Sequence, residues 1–74
     1  MGTMSLEDTR ARMGDRIREL RKAAGLSQRK LALVIGADNT YISRLERGAI
    51  ENPTLKTLHR VAGALGVEVA DLLA

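Results

Sequence analysis

Between Gln28 and Gly48 the chain reads QRKLALVIGADNTYISRLERG, two short apolar segments on either side of Gly36-Ala37-Asp38. Read as helices, the first places Leu31, Ala32 and Ile35 on one face. The second places Ile42 and Leu45 on one face, three residues apart. Asp38 is a good N-cap for the second helix, and Gly48 supplies the positive φ that ends it. Gly36 offers the same freedom at the turn, and Ala32 is small enough to let the second helix cross the first. Two short helices held at a fixed angle by a tight turn constrain everything that must pack around them.

The pattern is that of a helix-turn-helix spanning residues 28–48. Its apolar faces leave Asn39, Thr40, Tyr41, Ser43 and Arg44 outside. These are hydrogen-bonding side chains on a helix able to lie in a DNA major groove. Arg44 suits guanine O6 and N7, and the plainer alternative is a solvated or phosphate-bound arginine. Asn39 suits adenine N6 and N7, or helps Asp38 cap the helix. Thr40 divides between base and phosphate. Ser43 either meets a base or simply permits close approach.

The remaining chain supplies three more helices. Ser5 and Asp8 form a capping-box-like start, and Leu6, Met13, Ile17, Leu20 and Ala24 recur at helical spacing. One helix is expected from about Leu6 to Ala24, or from near Arg10 with Thr9 as the rival cap, closed by Gly25, with Arg12, Arg16, Arg18, Arg21 and Lys22 on its outer face. Ser27 caps the next helix, whose exposed first turn, with Gln28, Arg29 and Lys30, suits phosphate. After a loop at Ala49-Ile50-Glu51, Asn52 is expected to cap a fourth helix with Pro53 at its first position. Leu55, Leu58, Ala62 and Leu65 give its buried stripe, with Val61 beside it. Val67 to Ala74 forms a short last helix carrying Val69, Leu72 and Leu73, with Glu68 or a neighbour as its weak cap.

With 74 residues the chain is read as one domain, residues 1–74, in which residues 1–5 are expected to be flexible. Its core is limited to Leu, Ile, Val, Ala and Met, because Tyr41 is the only aromatic residue. The absence of cysteine excludes disulfides, thiolate catalysis and cysteine-based zinc sites. No apolar run is long enough to span a bilayer and no signal segment follows the start, so a cytoplasmic location is expected. Of the net charge of +3, residues 10–47 carry +6, while both flanks are acidic. That concentration suits a polyanion, although solvated helix faces produce similar runs. His59 is a lone histidine beside a buried stripe, with no second ligand at metal spacing. Ser27, Ser43, His59 and Asp71 have no reason to converge into a triad, so neither an enzyme, a metal nor a cofactor is expected. The core residues look fully used, leaving no evident ligand pocket.

The chain resembles the lambda-repressor-like helix-turn-helix family, small phage and bacterial transcriptional regulators. The resemblance is carried by Ile17-x-x-Leu20-Arg21, Gly25-Leu26-Ser27-Gln28, Leu31-Ala32, Ile35-Gly36 and Tyr41-Ile42-Ser43-Arg44-Leu45-Glu46-Arg47-Gly48. It continues through Asn52-Pro53-x-Leu55-x-x-Leu58, Ala62-x-x-Leu65-Gly66-Val67 and Asp71-Leu72-Leu73. It covers residues 13–73, and the joint order of these motifs is far more specific than any one of them.

The resemblance implies an all-α, compact five-helix bundle whose third helix reads DNA. By position, Asn39, Thr40, Ser43 and Arg44 match base-contacting residues. Gln28 matches a residue that holds phosphate and buttresses the reading helix. Tyr41 matches a position touching backbone or a thymine methyl, and Arg47, Asn52 and Lys56 match the region approaching phosphate. Arg21 and Glu46 match an internal ion pair. Two departures stand out: Leu33-Val34 where relatives are usually polar, and Glu68 where Ser or Thr is common.

These features predict a sequence-specific regulator binding double-stranded DNA. One such module covers only about 600–1,000 Å², so a homodimer on a two-fold site is expected, with half-sites about 34 Å apart. Ile50, Val69, Leu72 and Leu73 are the dimer candidates. Leu33 and Val34 either pack beneath Met4 and Leu6 or form a surface for a partner protein. The latter would make the chain an antitoxin-type module that also represses its own operon. A phage repressor and a restriction-modification controller are the other roles open to it.

Overall fold

The computed structural model describes residues 4–74, a bundle of five helices with no strand among those residues. In order they are α1 (Leu6–Ala23), α2 (Gln28–Ile35), α3 (Asn39–Glu46), α4 (Leu55–Leu65) and α5 (Val69–Leu72). Of residues 1–5, for which flexibility is expected, residues 1–3 lie outside the described residues. Ser5 accepts the Asp8 amide at 3.1 Å and starts α1.

Local signals set most boundaries. Ser27 caps α2 through the Lys30 amide, and Asp38 caps α3 through the Tyr41 amide at 2.8 Å. Gly36 takes φ 73°, which lets the Ala37 amide turn back onto the Ala32 carbonyl at 2.8 Å. Glu68 starts α5, its amide donating to Asp71 Oδ2 at 2.9 Å while its carbonyl accepts the Asp71 amide at 2.9 Å.

The fourth helix begins later than expected. Thr54, not Asn52, is the cap: its hydroxyl accepts the Thr57 amide at 3.1 Å. Asn52 and Pro53 belong instead to the loop from α3. Leu55 is consequently a first-turn residue on the outside, 65% exposed, and the buried stripe of α4 is Leu58, Val61, Ala62 and Leu65.

Ile17, Leu31, Ile42, Leu45, Val61 and Leu72 form the fully buried centre, one or two from each helix. Burying an aliphatic side chain of this size contributes about 1.5–3 kcal/mol, so the bundle depends on all five elements. Leu6 and Ala24, expected on the core face of α1, are exposed; Gly14 and Arg21 occupy that face with Met13 and Ile17. The Gly14 backbone lies directly against α3. A Cβ there would sit 2.7 Å from the Leu45 carbonyl oxygen and closer still to that of Glu46.

Three arginines of α1 act as ties between elements. Arg10 donates to the Glu51 carbonyl at 3.1 Å, holding the α3–α4 loop. Arg16 donates to the Asp71 carbonyl at 2.9 Å, holding α5. Arg21 donates to the Leu26 carbonyl at 2.8 Å, holding the turn into α2. The outer cationic face expected for Arg16 and Arg21 is therefore partly an internal fastening.

Candidate nucleic-acid interface

The position of α3 is set by its two buried aliphatics and by Glu46. Arg21 Nε donates to Glu46 Oε2 at 2.5 Å and Arg21 Nη2 to Oε1 at 3.1 Å. The two side chains are only 9% and 3% exposed. Gln28 Nε2 adds a third donor to Oε1 at 3.0 Å. One carboxylate thus collects α1, α2 and α3. The outward, phosphate-facing orientation expected for Gln28 is corrected in part: its amide nitrogen is committed to Glu46, and the residue is half-buried.

With Ile42, Leu45 and Glu46 turned inward, the other face of α3 is presented outward. Asn39, Thr40 and Arg44 are exposed; Tyr41 and Ser43 are half-buried. Among the described residues, none of these five side chains has a hydrogen-bond partner within the protein. They are donors and acceptors held on a rigid helix with their capacity unused. Tyr41 packs its ring against the core.

Exposed cationic groups lie on α2, just beyond α3 and at the start of α4. Arg29 and Lys30 are exposed on the first turn of α2. Arg47 is exposed just beyond α3, its Nε donating to the Ser43 carbonyl at 3.3 Å. Asn52 and Lys56 are exposed at the end of the loop and on the first turn of α4. Among the described residues Arg21–Glu46 is the one salt bridge, so none of these surface cations is neutralised by an acid within 4 Å.

The other candidates separate clearly. Leu72 is fully buried, so it is a core residue and not an available dimer contact. Leu73 is 54% exposed, while Ile50 and Val69 are half-buried against the core. Leu33 and Val34 are 71% and 59% exposed, and Met4 and Leu6 are exposed too, so the expected packing of α2 under the N-terminal residues does not occur. An open surface recess of about 400 Å³ lies between Tyr41, Ile50 and Arg60. His59 is exposed, and no cluster of metal-ligating side chains exists among the described residues. Nor is any described helix long and apolar enough to cross a membrane.

This architecture has relatives. A family model described as Helix-turn-helix matches residues 17–72. The chain is 39% identical over 66 residues to the uncharacterized HTH-type transcriptional regulator y4dJ of Sinorhizobium fredii, covering 89% of this chain and 84% of that protein. It is 42% identical to the restriction-modification controller protein C.AhdI from Aeromonas hydrophila, with a TM-score of 0.79 over 84% of this chain and 92% of that one. It is 38% identical over 61 residues to the regulator SinR of Bacillus subtilis, covering 82% of this chain but only 55% of SinR. A crystal structure of SinR in complex with DNA superposes with a TM-score of 0.78 at 37% identity, covering 84% of this chain and 98% of that one. By the extent of the family match and by these relatives, the chain belongs to the XRE-type, lambda-repressor-like helix-turn-helix family of small bacterial and phage transcriptional regulators.

Proposed function

We propose that this protein binds double-stranded DNA in a sequence-specific manner and regulates transcription, with α3 entering the major groove. The observation that carries the reading is the outward face of α3, where the side chains of Asn39, Thr40, Ser43 and Arg44 have no hydrogen-bond partner within the described protein. Unused donors and acceptors on a rigid helix suit base edges, which present fixed patterns of the same groups. Gln28, Arg29, Lys30, Tyr41, Arg47, Asn52 and Lys56 set register on the backbone. The similarity to SinR, whose structure was solved with DNA, supports the assignment.

The protein acts as a homodimer on a two-fold site, since one module of this size covers too little DNA for tight specific binding. Exposed Leu73, with Val69 and Ile50 beside the core, is the surface available for that contact. Selection of bound sequences from random duplex DNA tests both parts. A recovered pseudo-palindrome with centres about one helical turn apart supports them. Recovery of no sequence preference overturns base reading, and recovery of a single asymmetric half-site overturns the dimer.

A second reading adds a partner protein, as in an antitoxin that represses its own operon. It rests on Leu33 and Val34, two exposed aliphatics on α2 among Arg29 and Lys30. Co-purification with the product of an adjacent gene, lost on Leu33→Lys, supports it; a wild-type chain that always purifies alone counts against it.

A further inference from the structure

A notch of about 250 Å³ lies where α1, α2 and α3 meet, lined by Arg18, Arg21, Gln28, Ser43, Glu46 and Arg47. Its buried members are Arg21 and Glu46, 8% and 6% exposed, and they neutralise one another. Glu46 accepts from two nitrogens of Arg21 and from Gln28. Its charge is matched by Arg21, not by Arg18 or Arg47. The two remaining charges are Arg18 and Arg47, both exposed. Among the described residues neither has an acid within 4 Å, and the Arg18 guanidinium makes no hydrogen bond within the protein. The notch therefore carries a net charge of +2 with donors unspent, and it opens beside Ser43 on the reading face.

We propose that this notch seats a single phosphate, gripped by Arg18 from α1 and Arg47 from the end of α3. Guanidinium forks suit phosphate oxygens because they present paired N–H donors in a plane. Gln28 completes the seat: one of its two Nε2 N–H donors goes to Glu46, which leaves the second to donate to a phosphate oxygen. Arg18 is the new element, a residue on the outer face of α1 that the position of the notch turns into a ligand contact. The inference rests on the DNA-binding reading, and the phosphate belongs to the duplex backbone flanking the groove. A free phosphate ion presents the same chemistry, and the test separates the two.

Arg18→Gln, Arg47→Gln and the double variant are compared with wild type on a random-sequence duplex across a salt series. Neutralising one phosphate contributes a slope of about −0.9 in log affinity against log salt. If both arginines grip one phosphate, the double variant loses about 0.9 of slope, and each single variant weakens binding severalfold with a smaller slope change. A loss of about 1.8 in the double variant would mean two separate phosphates and would overturn the shared seat; an Arg18→Gln variant indistinguishable from wild type would also overturn it. Unfolding midpoints should stay at the wild-type value in both single variants, because neither side chain is buried. In a second arm, inorganic phosphate is titrated at constant ionic strength while the Gln28 side-chain amide is followed by NMR. If wild type binds no duplex at low salt, the DNA reading itself fails. A phosphate-induced shift lost in the double variant would then reassign the seat to a free ion, and absence of any shift would end the proposal altogether.

Discussion

Gly14 in α1 and Glu46 in α3 touch backbone to backbone: no Cβ can be added at Gly14 without entering the Leu45 and Glu46 carbonyls. Those carbonyls end the reading helix, so the contact fixes how far α3 stands from the rest of the bundle. Gly14→Ala gains up to about 1 kcal/mol of helix propensity. It also forces two helix backbones apart, and overpacking of this kind costs about 1–3 kcal/mol. The net expectation is destabilisation in urea denaturation, with weaker discrimination between sites because α3 is displaced.

The Arg21–Glu46 pair predicts an asymmetry between single and double replacement. Removing one partner leaves the other charge buried, which costs about 3–5 kcal/mol. Arg21→Met and Glu46→Leu alone should each destabilise strongly, whereas the double variant should recover much of the loss. Denaturation of the four proteins in a double-mutant cycle gives the coupling directly. Glu46→Leu carries an additional effect, because it also releases Gln28 from its 3.0 Å bond and so loosens α2 against α3.

What the sequence displays and what it conceals divide along contact distance. Ser5, Ser27 and Asp38 each cap a helix through an amide three residues on, so local spacing locates α1, α2 and α3. The face of α3 is equally legible, since Ile42 and Leu45 orient the helix and the polar positions follow. The role of Gly14 is not, because a glycine in mid-helix carries no sign of what crosses it 31 residues later. Arg10 and Arg16 look like solvated charges until the fold brings Glu51 and Asp71 to them, 41 and 55 residues away. Asn52 and Thr54 are both competent caps two residues apart, and only the path of the loop decides between them. In the pair Leu72-Leu73 one must face inward, and α5 is too short for periodicity to say which.

Arg44 and Arg29 should fail in different ways. Arg44 projects from α3 with its guanidinium free, and a bidentate contact to one base carries about 1–3 kcal/mol of discrimination. Arg44→Ala is therefore expected to relax preference at one base pair while leaving the others intact. An unchanged site preference would remove Arg44 from the set of readers.

Arg29 stands on the first turn of α2 and not on α3 itself. Arg29→Ala should weaken all duplexes alike and reduce the salt slope by about one. Binding of one selected and one scrambled duplex over a salt series distinguishes this outcome from that of Arg44→Ala. A loss confined to the selected duplex would contradict a backbone role.

The displaced start of α4 separates two residues that look interchangeable on paper. The Thr54 hydroxyl accepts the Thr57 amide, and loss of such a cap costs about 1 kcal/mol. Thr54→Ala should lower the unfolding midpoint, by about 4–8 °C for a domain of this size if the full 1 kcal/mol is felt. Asn52 is exposed and no side-chain bond to the protein holds it. Asn52→Ala should leave the midpoint unchanged and weaken duplex binding through a lost backbone contact. The two measurements together are decisive, because a cap at Asn52 would reverse the stability ranking, whereas a cap at Thr54 allows Asn52 to serve the DNA alone.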